Sequence, residues 1–212
     1  MNALTAEMLA LGAATLGESG ARPMHPRIKP AWPAAAVAGR AVTVRCAPAD
    51  NLAIHAAVAS AAADTVLVVD ASALPARGYW GEVLTTAAQA RGVAGLVIDG
   101  GVRDVAALTA HGFPVFSARV ALPGASKVGG GSVDRPVRVG DVLVEPGDWV
   151  VGDVDGVVVI PAAALDRVVA AGLARAEAEQ RYFDRLRAGE TTGDLLGLDF
   201  STVARDPMTG GE

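Results

Sequence analysis

The sequence predicts an α/β protein with a mixed sheet core: parallel βα units first, then an antiparallel meander, then a long C-terminal helix. Three observations carry this. Between Ala41 and Phe116, short apolar runs alternate with stretches of good helix formers, the β-α-β-α-β order that produces parallel strands and crossover helices. From Ala121 onward, short valine-rich runs are separated by the turn signals Glu145-Pro146-Gly147-Asp148 and Asp153-Val154-Asp155-Gly156. Pro161 then opens a helical stretch to about Arg187, with Leu165, Val168, Val169, Leu173 and Ala176 along one face.

In chain order, Thr5 is placed to cap a first helix to about Leu16, followed by a loop from Gly17 to Pro33. Ala41 to Arg45 alternates as a strand. Asp50 caps a helix from Asn51 to about Ala62, and Thr65-Val66-Leu67-Val68-Val69-Asp70 is a fully buried strand. Ala71 to Trp80 is read as a loop. Glu82 opens a helix that Arg91-Gly92 closes, with a cation in the last turn and a C-cap glycine. Leu96-Val97-Ile98 is a buried strand, Arg103 to His111 a helix, and Pro114-Val115-Phe116 a short strand. The organisation expected is an N-terminal helix and loop over residues 1–33, one α/β domain over 34–187, and an extended tail over 188–212.

Composition narrows the function classes. Of 212 residues 51% are hydrophobic but only 4% aromatic, which favours tight packing of small aliphatic side chains. A net charge of −5 without a basic face argues against nucleic acid as a ligand, whereas one arginine in a pocket suffices for a small anion. Cys46 is the only cysteine, so no intramolecular disulfide or cysteine metal site is expected, and its place in a strand suits a small core residue. The N-terminal stretch lacks a signal-peptide pattern and no apolar run is long enough to span a membrane, so the expectation is a soluble cytoplasmic protein.

The densest chemistry lies in Gly81 to Asp104. A helix start at Glu82 and a strand end at Arg103-Asp104, with twenty residues between, bring a carboxylate, a guanidinium and a second carboxylate near a Gly100-Gly101 loop. Arg103 can grip a carboxylate with two parallel hydrogen bonds, and Asp104 can ligate Mg²⁺, which takes only one or two protein carboxylates. An Arg-Asp pair opening a helix is also an ordinary surface feature, and spacing alone leaves both readings open. His25, His55 and His111 are scattered and read as structural. Lys29 and Lys127, the only lysines, are both read as lying outside the constellation.

A resemblance adds to this. Asp50-Asn51-Leu52 with His55, Thr65 to Ala71, Trp80-Gly81-Glu82-Val83-Leu84, Gly95 to Asp104, Phe113-Pro114-Val115-Phe116, Glu145 to Asp148 and Asp153 to Val158 stand in a fixed order. In that order, over about Ala35 to Phe200, the chain resembles the family uniting 4-hydroxy-4-methyl-2-oxoglutarate aldolases with the regulator of ribonuclease activity A. The resemblance implies a swivelling β/β/α-type domain. The aldolase branch carries an acidic residue, twenty intervening residues and Arg-Asp, matched here by Glu82, Arg103 and Asp104; the regulator branch typically lacks the second aspartate.

By that resemblance the chain is a class II aldolase that cleaves 4-hydroxy-4-methyl-2-oxoglutarate or a related 4-hydroxy-2-oxo acid and decarboxylates oxaloacetate. Asp104 then ligates Mg²⁺ or Mn²⁺, Arg103 binds the pyruvyl carboxylate and carbonyl, and backbone at Gly81, Val83 and Leu84 holds the carboxylate. Glu82 holds metal-bound water for proton transfer, and Glu190 completes a neighbour's site in a homotrimer or hexamer. The competing expectations are a non-catalytic regulator that binds a ribonuclease or helicase, and a metal-enolate lyase acting on another 2-oxo acid.

Overall fold

Strands rich in valine, leucine and isoleucine require cover on both faces. The computed structural model, which describes residues 3–204, shows how that cover is supplied. In chain order the elements are α1 (Ala3–Glu18), β1 (Arg22–Pro23), β2 (Lys29–Pro30), β3 (Val37–Cys46), α2 (Leu52–Ser60), β4 (Thr65–Asp70), β5 (Gly78–Trp80), α3 (Glu82–Ala90) and β6 (Gly95–Val102). There follow α4 (Val105–Ala110), β7 (Val115–Val120), β8 (Gly131–Val133), β9 (Val137–Val139), β10 (Val142–Val144), β11 (Trp149–Gly152), β12 (Val157–Ile160), α5 (Leu165–Arg187) and α6 (Thr192–Leu196).

The main sheet runs β1-β12-β11-β3-β4-β6-β7-β2, with β5 beside β6 and β8 beside β3, while β9 and β10 form a separate hairpin. Pairing is parallel from β3 through β4 and β6 to β7, and antiparallel toward β11, β12 and β1. The sheet is therefore mixed, as the sequence pattern predicts.

Period-two alternation sends successive side chains to opposite faces. In β4, Leu67 and Val69 join Ile54 of α2, Leu84 of α3, Ile98 and Trp80 in one core. Val66 and Val68 face the other way, where Val97, Phe116 and Val137, Val139 and Val144 of the hairpin close a second core. Met8 and Leu16 of α1 pack with Trp149, Val151, Val158, Ile160 and Val168 in a third. Full burial of each such aliphatic side chain contributes about 1.5–3 kcal/mol before entropy is counted.

Several local expectations are corrected. Thr5 does not cap α1; it is buried inside a helix that begins at Ala3 and breaks at Gly12, where φ is 77°. The restart is capped from a distance, because Asp153 Oδ2 accepts the Ala13 N–H at 2.7 Å. The stretch Gly17 to Pro33 contributes the two-residue strands β1 and β2, which pair with β12 and β7. Gly78–Trp80, read as loop, is a strand beside the end of β6. This close approach needs Gly101, since a Cβ there would strike the Arg77 carbonyl oxygen.

The chain divides into two compact units between Leu173 and Ala174, within α5. In the second unit, Arg175–Glu179 and Arg181–Glu177 pair one turn apart at 2.8 and 2.7 Å. The tail there is not wholly extended: α6 is held by a capping box in which Thr191 Oγ1 accepts the Asp194 N–H. The last residues of the predicted tail, 205–212, lie outside the described residues. Among the described residues no helix is long and apolar enough to cross a membrane.

Candidate active site

Strand β6 ends at Val102, and the Arg103 N–H then donates to the Trp80 carbonyl at 2.9 Å, tying the β6 exit to the entry of α3. Asp104 takes the left-handed conformation, φ 57° and ψ 36°, which aspartate tolerates better than most residues. Although Asp104 is the N-cap residue of α4, its side chain does not cap that helix. It crosses to α3 instead, where Oδ2 accepts the Glu82 N–H at 3.1 Å. A carboxylate thus lies at the positive end of a nine-residue helix. Gly81 makes the crossing possible, because a Cβ at that position would collide with Asp104 Oδ2.

Arg103 Nε lies 3.7 Å from Asp104 Oδ2, and the two side chains keep 45% and 42% of their surface exposed, so a small ligand can reach both. Together they line a cleft of about 150 Å³ with Gly81, Val83, Leu84, Asn51 and Lys127 among its other walls. The N–H groups of Val83 and Leu84 belong to the first turn of α3 and have no intrahelical acceptors. Five of the residues expected from sequence, Gly81, Val83, Leu84, Arg103 and Asp104, therefore meet in one place.

Glu82 is placed differently. Its neighbours on both sides line the cleft, but its own side chain does not; Oε1 lies 3.3 Å from Nε2 of His111 at the end of α4. Glu190 lies in the second unit and forms an ion pair with Arg185, Oε2 to Nη2 at 2.5 Å, which holds its carboxyl below the usual range.

Sequence reasoning set aside two residues that the fold brings in. Lys127 lines the cleft and forms no ion pair with a described carboxylate. Its position depends on Asp50, a fully buried carboxylate whose Oδ2 accepts from Ser126 Oγ at 2.7 Å, Val128 N–H at 2.6 Å and Gly129 N–H at 2.8 Å. Burial opposes ionisation of Asp50, but those bonds and one from the Leu52 N–H outweigh it and hold the carboxyl well below the ordinary range. Lys127 is the apex of the clamped turn. Asn51 was noted only as part of a motif; its Nδ2 donates to the Tyr79 carbonyl at 2.8 Å, while its buried Oδ1 accepts no hydrogen bond from the described residues. The available signals were a lysine beside a glycine-rich loop and a polar Asp-Asn pair at a helix start.

Other candidates belong to the scaffold. Asp99 is buried and accepts from Arg27 Nε at 3.1 Å, Arg27 Nη2 at 2.7 Å and the Gly140 N–H at 3.0 Å, anchoring the β9–β10 turn. Burial first, then the nearby Asp50 and Asp70 charges, pushes the Cys46 thiol up to about 12, so it is not a thiolate nucleophile near neutrality. Burial, then the charge of Lys127, lowers the His55 pKa and favours the neutral ring.

The donor chemistry suits a hard divalent cation. Among the described residues there is no group of three or more His, Cys, Asp or Glu placed to hold a metal. Asp104 uses Oδ2 for its protein contacts and leaves Oδ1 free. One carboxylate supplemented by waters and substrate oxygens is how Mg²⁺ is commonly held.

Known proteins place this architecture. The chain is 40% identical over 125 residues to a protein of Halalkalibacterium halodurans provisionally named 4-hydroxy-4-methyl-2-oxoglutarate aldolase, a match covering 59% of this chain and 60% of that protein. The chain thus spans about three fifths of that relative's length. Among solved structures, an uncharacterised protein from Pseudomonas syringae superposes with a TM-score of 0.81 at 27% identity, covering 89% of this chain and 90% of that one. Streptomyces coelicolor RraAS2, described as an unusual member of the RNase ES inhibitor RraA protein family, superposes with a TM-score of 0.75 at 28% identity, covering 87% and 96%. The profile of the RraA-like family, Aldolase/RraA, matches residues 10–159, and the chain belongs to that family.

Proposed function

We propose that this chain is a divalent-metal-dependent carbon–carbon lyase that releases pyruvate from 4-hydroxy-4-methyl-2-oxoglutarate or a related 4-hydroxy-2-oxo acid, and that the same site decarboxylates oxaloacetate. The observation that carries this reading is the meeting of Asp104, Arg103 and the N-terminus of α3 in one cleft. The name carried by the H. halodurans relative supports the aldolase.

Asp104 would hold Mg²⁺ or Mn²⁺, which supplies Lewis-acid stabilisation of negative charge on the keto oxygen of a bound 2-oxo acid. The remaining work falls to the chain. The Val83 and Leu84 N–H groups receive the 1-carboxylate at the positive end of α3. Arg103 donates to the keto oxygen, whose charge grows as the C3–C4 bond breaks, so its contribution is largest in the transition state. In the aldol substrate the C4 hydroxyl gives its proton to the water beside Glu82, C4 becomes a carbonyl, and the bonding pair passes to C3 and the keto group as pyruvate enolate. Loss of CO₂ from oxaloacetate leaves the same enolate, so one site serves both reactions. Protonation of C3 completes either, with Glu82 as the carboxylate that holds the water. Both substrates carry a second carboxylate, for which Lys127 is the available cation. In this reading the active form is a homotrimer or hexamer in which Glu190 completes a neighbour's site.

The test is pyruvate release from both substrates, with and without EDTA. Turnover that EDTA abolishes and Mg²⁺ or Mn²⁺ restores is expected; EDTA-insensitive turnover, or none on either substrate, sinks the reading. The similarity to the RNase ES inhibitor family favours one second reading, a non-catalytic regulator that binds a ribonuclease or helicase. Capture of such an enzyme by an Asp104→Ala variant, together with an inactive wild type, would establish that reading instead.

A further inference from the structure

Glu82 stands between two residues of the cleft wall without lining it itself, and its carboxylate Oε1 lies 3.3 Å from His111 Nε2. The backbone that carries the ring is well anchored. His111 caps the C-terminal end of α4, whose N-cap is Asp104, and its carbonyl accepts from Gln89 Nε2 on the last turn of α3 at 3.0 Å. Two residues on, Phe113 is buried and stacks on Trp80, 5.8 Å between centroids and 10° between planes. Trp80 in turn donates from Nε1 to Thr85 Oγ1 of α3 at 2.7 Å. Helices α3 and α4 are thereby fixed to each other at the level of His111. Glu82 has no comparable support along its flexible side chain; the imidazole is its only side-chain partner among the described residues.

From this geometry we propose that His111 is a positioning residue for Glu82: the ring donates through Nε2 to Oε1 and fixes the carboxylate beside the cleft, leaving Oε2 to orient a water. A base held by a third group is a recurring requirement of proton-transfer sites, and glutamate, with three side-chain torsions, loses more from being unheld than a shorter acid. The catalytic part of this inference rests on the lyase reading above; the pairing itself does not.

The experiment separates the two. In metal-free protein, nitrogen-15 NMR of the imidazoles follows three histidines, and Glu82→Gln should shift the His111 ring resonances while leaving His25 and His55 in place. With metal and substrate, His111→Ala should lower kcat about ten-fold with little change in KM, and His111→Gln should recover part of the loss. Glu82→Gln combined with His111→Ala should be no slower than Glu82→Gln alone. A His111 ring indifferent to Glu82→Gln overturns the pairing. Losses that add, or an unchanged kcat in His111→Ala when the wild type turns over, overturn the positioning role. A wild type that releases no pyruvate fails the lyase reading, and the NMR result then decides the pairing by itself.

Discussion

Asp104 combines three properties that its sequence neighbours do not share: a left-handed backbone, a half-exposed carboxylate, and a hydrogen bond from the first N–H of a different helix. On the proposed mechanism, losing it removes the metal carboxylate, and losing Arg103 removes the donor to the reacting oxygen. Asp104→Ala and Arg103→Ala should each lower kcat/KM by about 10²-fold or more, while far-UV circular dichroism stays that of the parent because neither side chain is part of a core. Gly81→Ala acts on the same carboxylate without touching it chemically. The new methyl group and Oδ2 cannot both keep their places, so Mg²⁺ affinity, measured by titration calorimetry, should weaken about ten-fold or more. None of this is visible in the spacing of Glu82, Arg103 and Asp104. That pattern singles out three residues but does not show that the Glu82 N–H goes to Asp104 while its carboxylate turns toward His111.

The turn Ser126–Gly129 behaves as an element with a single anchor. Asp50 is buried, and its bonds to Ser126, Val128 and Gly129 determine where Lys127 stands. Asp50→Ala should destabilise the fold by about 2–3 kcal/mol in urea denaturation, since it leaves several donors unpaired, and should raise KM for a dicarboxylic 2-oxo acid as Lys127 loses its placement. The acid dependence has a definite sign. The folded-state pKa of Asp50 lies below the unfolded one, so its contribution is complete above about pH 4 and is lost as pH falls from there toward the depressed folded value. Asp50→Asn should therefore flatten the acid limb of a stability-against-pH curve and leave its neutral region parallel to the parent's. The helices and long strands were legible because their periodicity is local. The strands β1, β2 and β5 were not, because two or three residues carry no period and become strands only when a partner edge is present.

In the assembled protein the proposed active form predicts a size and a dependence on the second unit. Light scattering coupled to gel filtration should give three or six times the 21.3 kDa chain mass. Glu190→Ala should then reduce kcat without changing that size; an unchanged kcat removes Glu190 from the site, and a monomer removes the shared-site arrangement altogether. Within its own unit Glu190 is committed to Arg185, so reaching a neighbour's site requires that exposed pair to open.

By itself, the sequence determined the order of the main helices and long strands, the change from parallel units to meander, and the spacing of Glu82, Arg103 and Asp104. Each is written in local periodicity, turn residues or fixed spacing. Only the tertiary structure decided that Asp104 sits on the N-terminus of α3, that Lys127 enters the cleft, that Asn51 keeps a buried oxygen unbonded, and that His111 lies beside the Glu82 carboxylate. Those placements join residues from 22 to 79 positions apart. They depend on strand register and on buried anchors such as Asp50 and Trp80, which no window of sequence contains.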